Sequence, residues 1–187
     1  GGPKIFSVSG HVEKPGNHEI RLGTPVAELL EMCRGMRNGN KLKGVIPGGS
    51  SMPILPADII METDMDYDSL AKAGSALGSG AVIVMDDTTC MVKACERIAQ
   101  FYHMESCGQC TPCREGLPWV LKTLQAIEEG RGVEEDLEIL EHHGRSITMG
   151  RTFCALAPGA MEPLQSALKY FEEDFDRHIR EKHCPWR

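Results

Sequence analysis

Three cysteines, Cys107, Cys110 and Cys113, stand at two successive two-residue gaps in the run Ser106-Cys107-Gly108-Gln109-Cys110-Thr111-Pro112-Cys113-Arg114. Thiolates are soft ligands, and this spacing wraps a peptide around one face of an iron–sulfur cubane. Each iron needs one thiolate, so three cysteines leave one corner open. Cys154 is expected to fill it, because it lies in a loop two helices further on that a bundle would bring back to the same end. Four thiolates hold one [4Fe–4S] cluster, which carries a single electron at a time. Gly108 allows a tight turn beside the cluster and Pro112 fixes the local φ angle. Neighbouring amide N–H groups and Arg114 would offset the negative charge of the thiolate cage and ease its reduction.

Other readings of these cysteines weigh less. Structural zinc sites usually pair two-cysteine knuckles, and three cysteines so close in sequence crowd one tetrahedral ion. Disulfides belong to oxidising compartments, and a glycine- and proline-spaced triple is an odd way to build core. Of the remaining cysteines, Cys33 sits on a short apolar stripe, and Cys90 and Cys95 are five apart on a helix and share no face. All three read as core. Cys184, beside His183, sits at a terminus expected to fray and is given no metal role. His142-His143 reads as a solvated pair that suits a helix C-terminus.

The elements that would position these groups follow from periodicity and turn chemistry. Lys4 to Val12 and His18 to Leu22 read as a hairpin about Pro15-Gly16-Asn17. Thr24 is expected to cap a short helix carrying Val26, Leu29, Leu30 and Cys33, stopped at Gly35. Lys43 to Ile46 and Ala81 to Met85 read as strands. Strand, strand, helix, strand, strand is the order of a β-grasp, or ubiquitin-like, domain. The second half is helical. Thr88 or Thr89 is expected to cap the first helix, with Met91, Ala94, Cys95, Ile98 and Phe101 as its stripe. The second carries Leu117, Val120, Leu121, Leu124 and Ile127. The third runs from Glu134 to His143 and is closed by Gly144, and one long helix runs from Gly159 to about His183. The expected class is α+β, with a β-grasp domain over residues 1–86 followed by a four-helix bundle carrying an iron–sulfur cluster over residues 87–187.

Two glycine-rich stretches invite nucleotide readings. Gly74 to Gly80 precedes a strand, whereas a dinucleotide fingerprint follows one and opens a helix. Pro47-Gly48-Gly49-Ser50-Ser51 reads as a plain turn rather than an anion nest. The 187 residues are 41% apolar and 25% charged, with a net charge of −7. They form no Lys/Arg cluster of the kind that phosphate backbones require, so nucleic acid is not expected as a partner. No apolar run approaches the roughly 20 residues that span a bilayer, so membrane insertion is not expected either. Without secretory-signal features the chain reads as cytosolic, and in a reducing compartment clustered cysteines, among the eight here, more often bind metal or do redox chemistry than form disulfides. The opening Gly1-Gly2-Pro3-Lys4 reads as a cut inside a longer protein.

The segment Ser106 to Gly116 resembles the cluster motif of the NADH-binding flavoprotein subunit (F type) of respiratory complex I, the NADH:quinone oxidoreductase. Thr152 to Ala160 is similar to the stretch carrying that family's fourth ligand, and Val45 to Ser51 and Gly78 to Asp86 look like further family segments. The resemblance implies that residues 1–86 are its soluble-ligand-binding β-grasp domain. It also implies that the cluster takes single electrons from FMN, which NADH has reduced, and passes them toward quinone. The family's N-terminal flavin and NADH domain is not in this chain. FMN and NADH ligands therefore fall on no residue here, and the chain alone is expected to be inactive toward NADH. Implied partners are the other hydrophilic subunits of complex I, including its small [2Fe–2S] subunit and its large iron–sulfur subunit. The implied location is a peripheral arm on the cytoplasmic side of the bacterial inner membrane. The diaphorase subunit of an NAD-linked hydrogenase or formate dehydrogenase is the nearest alternative, and a non-catalytic zinc-stabilised interaction module is an alternative of another class.

Overall fold

Phe6 and Val8 are buried between exposed neighbours, the period-two signature of a strand with one face on a core. In the computed structural model, which describes residues 2–187, this strand is β1 (Pro3–Gly10). It pairs antiparallel with β2 (Gly16–Arg21), Phe6 opposite His18 and Lys4 opposite Ile20. The helix α1 (Val26–Met32) buries Val26, Leu29 and Leu30. Thr24 does not cap it: Pro25 occupies the cap position, and the Thr24 carbonyl accepts from the Met65 N–H at 2.8 Å.

Beyond β3 (Leu42–Ile46) come three short elements that periodicity could not announce. These are β4 (Leu55–Pro56), α2 (Ala57–Ile60) and α3 (Tyr67–Lys72), the last capped by Asp66, which accepts from the Ser69 N–H at 2.7 Å. The strand β5 (Ala81–Asp86) then runs parallel to β1 and antiparallel to β3, giving the sheet order β2-β1-β5-β3-β4. A parallel pair of first and last strands inside the sheet, flanked by antiparallel β2 and β3, is the β-grasp arrangement. Its core includes Phe6, Leu29, Leu55, Met65, Leu70 and Val84.

The glycine stretches serve this packing. A Cβ on Gly48 or on Gly78 would strike the other segment's backbone, and the Ser79 N–H donates to the Gly48 carbonyl at 3.0 Å. Glycine lets two loops touch main chain to main chain.

The chain separates into two compact units, Gly1–Thr88 and Thr89–Arg187. The second is built from α4 (Met91–Met104), α5 (Thr111–Arg114), α6 (Gly116–Glu128), α7 (Glu134–Ser146), α8 (Leu156–Tyr170) and α9 (Glu172–Glu181). Packing runs α4 to α6, α6 to α7, α7 to α8 and α8 back to α4, with α9 laid against all four. The α+β class thus holds, with corrections inside the bundle. Cys90 rather than a threonine caps α4, its sulfur accepting from the Lys93 N–H at 3.3 Å. Phe101 is 52% exposed because the buried face follows Met91, Cys95, Ala99 and Tyr102. Gly144 does not stop α7: it lies inside the helix, where a Cβ would crowd the Gln165 side chain of α8. The long last helix breaks at Phe171, whose φ of −131° and ψ of 33° are not helical. The break redirects α9 so that Phe175 and His178 are fully buried.

Candidate iron–sulfur site

The loop after α4 carries the cysteine triple. Gly108, at φ +73°, turns it, and Cys110 precedes α5, whose single turn contains Pro112 and the buried Cys113. The α5 turn packs on α6 and on α8. Cys154 stands two residues before α8, so the element that α5 touches also delivers the fourth cysteine.

Hydrogen bonds fix the approach. The nearby backbone N–H of Phe153 favours the Cys110 thiolate and is the main reason this thiol ionises more readily than usual. Desolvation opposes it, while the Arg114 charge adds to it. Ser106 Oγ lies 2.9 Å from Cys113 Sγ and accepts from the Gly108 N–H at 3.2 Å. Arg114 donates to the Gly108 carbonyl at 2.9 Å, and Thr152 Oγ1 donates to the Cys154 carbonyl at 2.8 Å. Burial pushes the Cys113 thiol up; the Ser106 hydrogen bond counters this, and the negative charges of Cys110, Cys107 and Cys154 push it further. All three other thiolates act on Cys113, so the four sulfurs share one electrostatic neighbourhood. Four thiolates at one place repel strongly unless cationic iron sits among them, and the donor set fits the cluster.

Cys107 and Cys154 are exposed, Cys110 is half-buried and Cys113 buried. Cys33 and Cys95 are core, as expected: Cys33 Sγ lies 3.3 Å from His18 Nε2, and burial and the nearby Asp174 charge push the Cys95 thiol up to about 12.

Two cysteines depart from expectation. Cys184 is not on a frayed end but buried, and it meets Cys90, Glu128 and His178 in a second constellation whose four donor atoms lie within 4.8 Å of one another. Within it, Cys90 Sγ is 3.3 Å from Glu128 Oε2 and 3.4 Å from His178 Nε2, and His178 Nε2 is 3.1 Å from Glu128 Oε2. Burial pushes the Cys90 thiol far up. Desolvation opposes ionisation of Glu128, but hydrogen bonds from His178 and Cys90 and the His178 and Arg187 charges outweigh it and lower its pKa. A cubane between these donors would hold them further apart than a single ion does, so this is not the cluster's cage. Its signal in sequence is faint: His178 and Cys184 follow α8 without any motif spacing.

Residues 93–178, which include Cys107 to Cys154, match the NADH-ubiquinone oxidoreductase-F iron-sulfur binding region, and residues 5–55 match the SLBB domain. The class is therefore an SLBB domain of β-grasp form followed by a helical region that binds a [4Fe–4S] cluster.

The F 2 subunit of the NADH-quinone oxidoreductase of Rhizobium meliloti is 51% identical over 99% of this chain and 44% of its own length. The Escherichia coli F subunit of the same enzyme is 44% identical over 96% of this chain and 40% of its own length. An NAD+-reducing [NiFe]-hydrogenase in the H2-reduced state superposes with a TM-score of 0.83 at 27% identity, over 95% of this chain and 30% of that one. Over nearly its whole length the chain is similar to the C-terminal part of F subunits of NADH-quinone oxidoreductases, and it spans less than half the length of the curated relatives it matches.

Proposed function

We propose that Cys107, Cys110, Cys113 and Cys154 ligate one [4Fe–4S] cluster and that the chain relays single electrons within an NADH:quinone oxidoreductase. What supports this reading is the match of residues 93–178, which contain all four cysteines, to an iron–sulfur binding region, together with the charges of Cys107, Cys110 and Cys154 all acting on Cys113. Single-electron relay suits a cluster beside a flavin, which takes two electrons from NADH and must release them one at a time. FMN and NADH would be held by a domain outside these residues, and the β-grasp domain, residues 1–86 against the helical 87–187, would bind a soluble ligand or an adjoining subunit.

Partners on this reading are other hydrophilic subunits of complex I, among them the small [2Fe–2S] and the large iron–sulfur subunits. The location is a peripheral arm at the cytoplasmic face of the inner membrane. Among the described residues no helix is long and apolar enough to cross a membrane. A diaphorase role is the second reading, favoured by the superposition on the NAD+-reducing hydrogenase. The higher identity to the quinone-oxidoreductase relatives over nearly the whole chain favours the first. Iron and sulfide analysis with EPR on the anaerobically purified, dithionite-reduced chain tests the relay. Iron without a reduced-cluster signal, or zinc at these four cysteines, would overturn it.

A further inference from the structure

We propose that Cys90, Glu128, His178 and Cys184 bind one zinc ion, separate from the iron–sulfur cluster. All four residues are buried, and they come from four separate parts of the helical unit: the cap of α4, the end of α6, the middle of α9 and the tail beyond it. Two thiolates, an imidazole and a carboxylate make a closed four-ligand set of the kind zinc takes in structural sites. With zinc–ligand bonds of about 2.0–2.3 Å, tetrahedral donors stand roughly 3.3–3.8 Å apart. The separations of 3.1, 3.3 and 3.4 Å among Cys90, Glu128 and His178 are already close to that span, and Cys184, within 4.8 Å of the other three, needs to close by about 1 Å at most to reach it.

The surroundings are arranged as for a metal. His178 Nδ1 lies 2.6 Å from the Asp174 carbonyl, to which it donates, so an Nε2 that gives up its proton to a metal would present its lone pair toward Cys90 and Glu128. The Trp186 ring stacks on the imidazole at 5.8 Å and shields it, and the Arg177 guanidinium covers Trp186 at 5.0 Å. Glu128 Oε1 is buried and makes no hydrogen bond, although Arg187 Nη2 approaches to 3.2 Å. Two thiolates and a carboxylate around Zn²⁺ leave one net negative charge, which Arg187 faces. A His–Glu ion pair alone would account for neither cysteine. Binding would displace the thiol protons and pin the tail to the bundle.

Zinc and iron are counted together in the anaerobically purified chain that carries its cluster. About one zinc per chain is expected. Cys184→Ser and His178→Ala should each cut it roughly tenfold or more while iron and the EPR signal persist, and Cys110→Ser should do the reverse. Because an unfolded variant would also lose zinc, His178→Cys, which keeps four ligands, serves as the rescue and should retain it. Cobalt added to zinc-stripped protein should give the thiolate-to-metal absorption and tetrahedral d–d bands in the wild type but not in Cys184→Ser. Folded wild type holding less than roughly a tenth of an equivalent of zinc and giving no cobalt spectrum would overturn the proposal. So would undiminished zinc in both ligand variants.

Discussion

The Phe153 backbone N–H lies close enough to Cys110 to favour its thiolate, which places the loop before α8 beside the loop before α5. The two loops are separated in the chain by α6 and α7, so those helices set where the fourth cysteine arrives. Cys154 itself is exposed and held through its carbonyl by Thr152. Its thiol is therefore positioned by backbone contacts and by the α5–α8 packing rather than by burial.

Cys154→Ser is accordingly expected to lose most of the cluster iron and the reduced-state EPR signal, as is serine at Cys107, Cys110 or Cys113. Cys33→Ser and Cys95→Ser are the controls, since both thiols are buried in apolar cores. Iron content and EPR amplitude check this. Equal losses in the control variants would refute the ligand set.

Ser106 bears on the potential of the cluster. Its oxygen accepts from the Gly108 N–H, which frees its own hydrogen to point at Cys113 Sγ, 2.9 Å away. A hydroxyl donating to a ligand thiolate favours the more negative, reduced cluster. Ser106→Ala removes a hydrogen bond of about 0.5–1.5 kcal/mol, and the part of it that strengthens on reduction lowers the midpoint, by up to roughly 65 mV for a one-electron couple. Redox titration monitored by EPR measures it, and an unchanged midpoint would mean the hydroxyl is only structural.

Asp86, at the end of β5, gives the β-grasp unit an acid sensitivity. Its carboxylate is buried, yet it accepts from Thr88 Oγ1 at 2.6 Å and Asn40 Nδ2 at 2.8 Å and meets His11 Nδ1 at 2.7 Å. Burial opposes ionisation, but these partners outweigh it and bring the carboxyl to about 2. A folded pKa below the unfolded value of about 3.9 stabilises the fold above that value, and the contribution is lost as pH falls from about 4 to about 2. It amounts to roughly 2 kcal/mol. Asp86→Asn should lose a similar amount at pH 7 and flatten the acid limb of a circular-dichroism unfolding series. A parallel acid limb in the variant would assign the sensitivity elsewhere.

The cysteine triple, the hairpin and the apolar stripes are legible in the sequence because each depends on residues within a turn or two of one another. The two-residue β4 and the four-residue α2 are not, since elements so short have no period to read and are held by the sheet and core around them. Gly144 misleads for the opposite reason: its glycine answers to Gln165 on another helix, not to a helix end. Cys184 misleads because its burial depends on the tail turning back at Lys182, in the left-handed conformation at φ +58°, and on Trp186 stacking over His178. Such a turn is fixed by packing partners far away in sequence.

That return of the tail rests on Gly130. Its φ is +76°, and a Cβ there would collide with the Lys182 carbonyl, while Lys182 Nζ reaches the Gly132 carbonyl at 2.8 Å. Gly130→Ala adds both a left-handed strain and a steric clash, together about 2 kcal/mol or more. For a unit of this size the melting temperature should fall by roughly 8 °C or more. The larger effect should be local. With Lys182 displaced, Cys184 and Trp186 lose their seats, so alkylation of Cys184 should accelerate and Trp186 fluorescence should shift toward that of a solvated indole. Cluster iron, held on the loops before α5 and α8, should remain. Fast alkylation of Cys184 with full iron content would show that the tail clasp and the cluster cage are held by independent sets of contacts, whereas loss of iron in step with the clasp would show that they are one.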